Sequence, residues 1–270
     1  MCLPHDLRLP FLHFVALNGV NFLRRYSIDR VYREKKIFNF HPKQLFECSF
    51  DIVSPSRGNF LVDAEVLFVA SEIVNEFDSL KQKQICFRIN HTGLLKAIFL
   101  YCSVPKDKYK ELVTILGTFV DQKLSKFQLM SAVNALLPWN NNTLLTELLQ
   151  IEMVGYLLFL SKCIFSNNSL NFQSVTNLNS SSLRTLIKGR GEATTIAKAA
   201  LRELETVVNL AQQGMNVVTP IIVQVGLALG FESSKSGVIV WQLVGEMKTG
   251  RQKMVLACGG SYDHILDDYQ

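Results

Sequence analysis

The stretch RVYREKKIFNFHPKQLFECSFDIV, Arg30–Val53, reads as two strands around a basic loop. The strands are expected over Tyr26–Arg33 and Leu45–Val53, and the connection carries Pro42. In the second strand Phe46, Cys48, Phe50 and Ile52 alternate with Glu47, Ser49 and Asp51. Period-two alternation places the first set on one face of a sheet and the polar three on the other. Antiparallel pairing would bring the polar row beside Arg33 and Asp29, making either a solvent-facing surface or a polar cleft. From Arg24 to Lys43 there are seven basic residues against two acids, a surplus equal to the net charge of +5 carried by the whole chain. Such a concentration attracts phosphate, nucleotide or nucleic acid, and a solvated face gives the same pattern.

Working outward, the 270 residues are 48% hydrophobic and only 19% charged, which excludes a disordered tail and allows one large or two small domains. Six scattered cysteines without a Cys-x-x-Cys pair argue against a zinc site or a thioredoxin-like motif. Cys48 and Cys258 lie in alternating apolar runs and are expected to pack as small hydrophobes. The start shows no signal peptide, and no apolar run reaches the length of about 18 residues that a membrane span requires. These features imply a reduced, cytoplasmic chain that needs neither membrane nor metal nor cofactor.

Leu7–Val20 reads as an apolar helix without a proper N-terminal cap. Val62–Phe77 follows as a helix with Val62, Val66, Val69, Ile73 and Phe77 in a stripe. A strand at Ile85–His91 precedes helices at Leu94–Cys102 and Asp107–Asp121, and Lys123–Phe165 reads as helical. Ser166–Ser182 is a charge-free Asn/Ser-rich loop. Glu192–Gln213 is amphipathic, stopped by Gly214, and strands follow at Val217–Val225, Val238–Val244 and Met254–Cys258. The order predicts an α+β fold: an antiparallel sheet flanked by helices, with a core split over 1–103 and 191–270 and a helical insertion over 104–190. Gly189-Arg190-Gly191 is a turn before a helix, and no P-loop, Gly-x-Ser-x-Gly or paired-His motif occurs. The five separated histidines read as structural or surface residues.

Arg30–Val53 resembles the signature strand–loop–strand of class II aminoacyl-tRNA synthetases. The Phe-x-Cys-x-Phe-Asp-Ile ending resembles the histidyl form. DLRLPFLHFVA (Asp6–Ala16), DAEV (Asp63–Val66) and GGSYDHIL (Gly259–Leu266) are similar to further histidyl-enzyme segments, in the family's order. The resemblance weakens between about Val104 and Arg190. It implies that Arg33 stands where an arginine holds the nucleotide α-phosphate, and that loop residues reach the tRNA acceptor end.

Departures from the family pattern lie in the amino-acid pocket. The histidine-recognition run Ala-Arg-Gly-Leu-Asp-Tyr-Tyr is replaced by Gln224-Val225-Gly226-Leu227-Ala228-Leu229-Gly230, so Val225 stands for the catalytic Arg and Ala228 for the Asp. A transition-state donor is thereby lost. Arg8 replaces a Thr close to Asp6, His13 an Arg, and Ser261 the Arg before Tyr262. Glu47 replaces a Gln and would repel a substrate carboxylate. The first and third class II motifs are not recognisable, which predicts a marginal or dimerising fragment.

This pattern is similar to the histidyl-tRNA-synthetase-like regulatory regions of translation initiation factor 2 alpha kinases that respond to amino-acid starvation. INHTGLLKAIFLYC (Ile89–Cys102) carries the resemblance further. It implies a pseudoenzyme without catalytic residues that binds uncharged tRNA, adjoins a serine/threonine kinase domain and works as a homodimer. The expected phosphate contacts are Arg30, Arg33, Lys35, Lys36 and Lys43, with Arg24 and Arg25 as further candidates. The expected degenerate pocket comprises Asp6, Arg8, Glu47, Asp51, Val225, Ala228 and Tyr262. A divergent histidine–tRNA ligase and a protein-only dimerisation or autoinhibition module are the competing readings.

Overall fold

A computed structural model describes residues 3–33, 42–56, 58–81, 83–121, 123–137, 142–154, 180–229, 231, 237–246 and 253–262. The chain divides into two compact units, 1–62 with 262–270, and 63–261. This division cuts across the expected segments 1–103, 104–190 and 191–270.

The first unit contains helix α1 (Arg8–Asn18) and an antiparallel hairpin of β1 (Leu23–Arg33) and β2 (Lys43–Val53). The register runs from Leu23 opposite Val53 to Arg33 opposite Lys43. Gly19, at φ 60°, ends α1 in the left-handed conformation that glycine adopts without Cβ strain. The helix start, where no cap was expected, is served from nearby: Asp6 Oδ1 accepts the Leu9 amide at 3.0 Å and Glu47 Oε1 accepts the Leu7 amide at 2.9 Å. The Tyr32 amide donates to the Pro4 carbonyl at 2.8 Å, which ties the leading segment to the edge of β1.

The second unit is built on a five-stranded sheet. Its strands are β3 (Ile85–His91), β4 (Glu152–Val154), β5 (Ile221–Gln224), β6 (Ile239–Glu246) and β7 (Lys253–Gly260), in the order β4-β5-β3-β6-β7. The sheet is mixed: β3 and β5 run parallel and the other neighbours antiparallel. The α+β class holds, with this parallel pair as a correction to the expected antiparallel sheet. It arises because the chain returns to the sheet beside β3 only after a long helical excursion.

Helix α2 (Phe60–Glu76) leads into this unit, followed by α3 (Asp78–Lys81), α4 (Thr92–Tyr101), α5 (Tyr109–Val120), α6 (Lys126–Leu136), α7 (Asn142–Leu149), α8 (Ser180–Lys188) and α9 (Glu192–Asn209). Apolar on nearly every side, α4 is buried along its length and packs on α9 and β3, while α9 buries Ala197, Ala200, Leu204 and Val207. Phe87 meets Trp241 edge-on at 5.8 Å in the sheet core.

Two local expectations are corrected. On α2 the buried face is Ala64, Leu67, Ser71 and Val74, whereas Ile73 and Phe77 are exposed. Apolar residues cover most of that helix, so periodicity discriminates poorly, and buried Ser71 is satisfied by Thr219 at 2.8 Å. The expected helix over 123–165 is interrupted by β4, and residues 155–165 lie outside the described residues, as does most of the Asn/Ser-rich stretch. Among the described residues no helix is long and apolar enough to cross a membrane.

Candidate nucleic-acid interface and degenerate pocket

Strand alternation assigns the hairpin's charges to two faces. One face carries Arg25, Ser27, Asp29 and Arg33 of β1 opposite Asp51, Ser49, Glu47 and Lys43 of β2. The other carries Arg24, Tyr26, Ile28 and Arg30 with Phe46 and Cys48. The polar face turns out to be the more buried one: Asp51 is buried and Arg25, Ser27, Lys43, Glu47 and Ser49 half-buried. On the apolar face Tyr26 is 78% exposed, Ile28 64% and Phe46 70%. Cys48 lies on this open face and Cys258 on β7, the last strand of the larger sheet, so both are exposed instead of packed as expected.

Asp51 is the hub of the polar face. It accepts from Arg25 Nε at 3.1 Å, from Ser49 Oγ at 3.1 Å and from the Tyr262 hydroxyl at 2.7 Å. The Arg25 guanidinium also lies over the Phe11 ring at 3.7 Å. Burial, then the Asp51 charge, pushes the Tyr262 hydroxyl far above its ordinary pKa, so it stays a donor. At the other end Arg33 Nη2 pairs with Glu47 Oε2. The carboxylate read as repelling substrate therefore occupies the guanidinium that the resemblance assigns to phosphate.

The expected phosphate contacts separate accordingly. Arg30 is exposed, its guanidinium 5.9 Å from the centre of the Phe46 ring. Arg24 is exposed on the same face, over Phe22 at 5.2 Å. Arg33 and Lys43 are opposite one another at the end of the hairpin, with Arg33 already paired to Glu47. Arg25 is committed to Asp51, which adjacent sequence positions 24 and 25 did not reveal but strict alternation does. Lys35 and Lys36 lie outside the described residues. Asp6 and Arg8 pair at 3.4 Å at the start of α1. Among the described residues, no group of three or more His, Cys, Asp or Glu could hold a metal ion.

The remaining expected pocket residues, Val225 and Ala228, belong to the second unit, in the turn after β5. Both are buried. The buried Asn90 amide clamps this turn, donating to the Val225 and Leu227 carbonyls, each at 2.8 Å. A Cβ on Gly226 would lie 2.7 Å from the Leu149 carbonyl oxygen. Packing thus requires the glycine that the family pattern shares, while its charged neighbours have become apolar. His91, read as structural or surface, is buried at the start of α4, its Nδ1 accepting the Gly93 amide at 3.0 Å and its Nε2 meeting Glu203 at 2.9 Å. The partner could not be foreseen from sequence, being 112 residues away.

No family model matches the sequence. The human eIF-2-alpha kinase GCN2 is 33% identical over 270 residues, and its mouse counterpart 34% over 271. Each alignment takes in 99% of this chain, which spans about 15% of the length of these kinases. The cytoplasmic histidine–tRNA ligase of Dictyostelium discoideum is 27% identical over 269 residues, 49% of its length. Among solved structures, histidyl-tRNA synthetase from Nostoc aligns with 89% of this chain and 48% of its own, at TM-score 0.64 and 18% identity. A protein described as an ATP phosphoribosyltransferase regulatory subunit/histidyl-tRNA synthetase, from Bacillus halodurans, aligns with 98% of this chain and 59% of its own, at TM-score 0.67 and 16% identity. These likenesses establish a class II histidyl-tRNA-synthetase-like fold.

Proposed function

We propose that this chain, a histidyl-tRNA-synthetase-like segment of the kind found in the GCN2 kinases, is a catalytically inactive domain that binds uncharged tRNA and thereby regulates an attached initiation factor 2 alpha kinase. The observation that carries this reading is the Arg33–Glu47 pair. The guanidinium aligned with the family's α-phosphate ligand is neutralised by a carboxylate of the adjoining strand. Val225 and Ala228 supply neither the cation nor the anion of the histidine-recognition run, and this supports the loss of amino-acid activation.

RNA binding is supported by what remains basic. Arg24 and Arg30 are exposed beside aromatic rings, and Lys35, Lys36 and Lys43 flank the hairpin connection in sequence. Phosphate contacts of this kind release counterions, so affinity falls steeply with salt. The proposed setting is cytoplasmic, and the exposed Tyr26, Ile28 and Phe46 are consistent with a homodimer of the longer protein.

The test is filter binding of deacylated tRNA at two salt concentrations, paired with histidine-dependent pyrophosphate exchange. Salt-sensitive binding without exchange is expected. Reversing charge at Arg30, Lys36 and Lys43 should abolish binding, and unchanged binding would refute the assignment. Glu47→Gln releases Arg33 and should tighten binding by about threefold, steepening the salt slope by about one unit. Measurable exchange would instead favour a divergent histidine–tRNA ligase, the reading that the Dictyostelium relative keeps in view. Binding of a kinase domain with no tRNA affinity would favour a protein-only module.

A further inference from the structure

A second candidate site lies wholly within the second unit, apart from the hairpin. It is a cavity of about 230 Å³ between the strands β3, β4 and β5 and the end of α5 with the start of α6. Its chemistry is carried by Arg88, Lys126, Ser125, Glu152 and Gln224.

Arg88 is 4% exposed, and its described hydrogen bond runs from Nη1 to the Val120 carbonyl at 3.0 Å. Among the described residues no carboxylate lies within ion-pair distance of it. A buried guanidinium whose one partner among the described residues is a carbonyl is costly to maintain, and an anion in the adjoining cavity would offset that cost. Lys126 adds a second cation at the first position of α6, where the helix dipole also favours negative charge. The Ser125 hydroxyl caps α6 by accepting the Gln128 amide at 3.2 Å, a role that leaves its O–H to donate.

The opposite chemical need comes from β5. Gln224 is 5% exposed and donates from Nε2 to Glu152 at 2.9 Å, yet its Oε1 is buried and, among the described residues, has no hydrogen-bond partner. A buried amide oxygen calls for an N–H or O–H donor. Glu152 also accepts, and its carboxylate would repel a pure polyanion. One lining therefore combines two cations with two acceptors. We propose that this cavity binds a small carboxylate carrying an adjacent N–H or O–H donor, a hydroxy- or amino-carboxylate. This site is independent of tRNA binding and uses none of the residues assigned to it.

Calorimetric titration of the protein with glycolate, glycine, acetate and inorganic phosphate tests the assignment. Glycolate or glycine should bind saturably at one site and more tightly than acetate, and which of the two prevails identifies the donor as hydroxyl or ammonium. Arg88→Met should weaken that binding by at least about thirtyfold, as expected on removing one partner of a buried charge pair. Should that variant fold poorly, exposed Lys126 offers another measure: Lys126→Glu should weaken the same ligand by about fivefold while leaving Tm unchanged. Gln224→Leu should erase the preference over acetate. Absence of saturable binding, equal affinity in the Lys126→Glu protein, or binding of phosphate alone would each overturn the proposal. Deacylated tRNA binding measured on the same variants should be unaffected, so the two readings fail separately.

Discussion

The two sheets of this molecule are organised in opposite ways. In the hairpin, β1 and β2 turn their charged row inward and leave Tyr26, Ile28 and Phe46 exposed. In the five-stranded sheet, Phe87, Ile89, Ile221, Val223 and Leu243 are buried, and the inward Asn90 amide answers a backbone need by donating to the Val225 and Leu227 carbonyls. A two-stranded ribbon buries too little apolar surface to be stable alone. Directional bonds through Asp51, Arg25 and Tyr262 take over part of that work in the hairpin, and volume-filling packing takes it over in the larger sheet. The difference implies distinct vulnerabilities: removing one charge threatens the first, and adding one methyl group threatens the second.

Asp51→Ala should give the largest effect. It strands Arg25 and leaves the Tyr262 and Ser49 hydroxyls without their acceptor. Breaking a buried pair costs about 3–5 kcal/mol, and the lower end applies because the Arg25 side chain keeps 27% exposure. Amide hydrogen exchange should show β1 and β2 opening while β3 and β6 stay protected. Uniform loss of protection would break the comparison. Gly226→Ala should give the converse, costing about 1–3 kcal/mol through a Cβ set against the Leu149 backbone, with exchange rising in β5 and the hairpin unchanged.

Sharpening the first result requires the alkaline limb. Tyr262 is neutral in the fold and its pKa is raised above the ordinary value of 10.0. Above that pH the unfolded chain loses a proton that the folded hydroxyl retains, so hairpin stability is full below it and declines as pH rises. Tyr262→Phe should lose one hydrogen bond, worth about 1–2 kcal/mol with a charged acceptor, and show a smaller alkaline decline in hairpin protection.

How much of this was legible in the sequence depended on whether the signal was local. The hairpin was readable because alternation at Phe46–Ile52 and the basic connection are near-neighbour features, and the strand Ile85–His91 was placed to the residue. Which face would be buried was not readable, since that depends on what else reaches it: Asp51 finds Tyr262, 211 positions away. The same limit explains α2, where apolar residues occur on more than one face and buried Ser71 finds its partner in Thr219, 148 positions away. In the candidate site, Val225 and Ala228 could be recognised as losses from motif alignment alone. That Glu47 captures Arg33 required the register, in which Asp29 stands directly opposite Glu47 and Arg33, four positions further along β1, reaches it diagonally.

The smallest expected effect concerns His91, a point where the larger unit depends on a titratable group as the hairpin does. Nδ1 accepts the Gly93 amide, so the ring proton sits on Nε2 and is donated to Glu203. Burial lowers the ring pKa from its ordinary 6.5, and the Glu203 charge offsets this only in part. The folded state thus binds a proton less readily than the unfolded chain. Stability is complete above about 6.5 and is lost as pH falls below it, because a proton on Nδ1 would face the Gly93 N–H it now accepts. Asn is also a good helix cap, so His91→Asn should keep α4 anchored while removing this acid dependence. Exchange protection at the first turn of α4, measured on both sides of that pH, should fall with acid in the parent and stay level in the variant. An equal fall in both would show that the larger sheet owes its acid sensitivity to another group, and that in this unit packing alone carries the helix start.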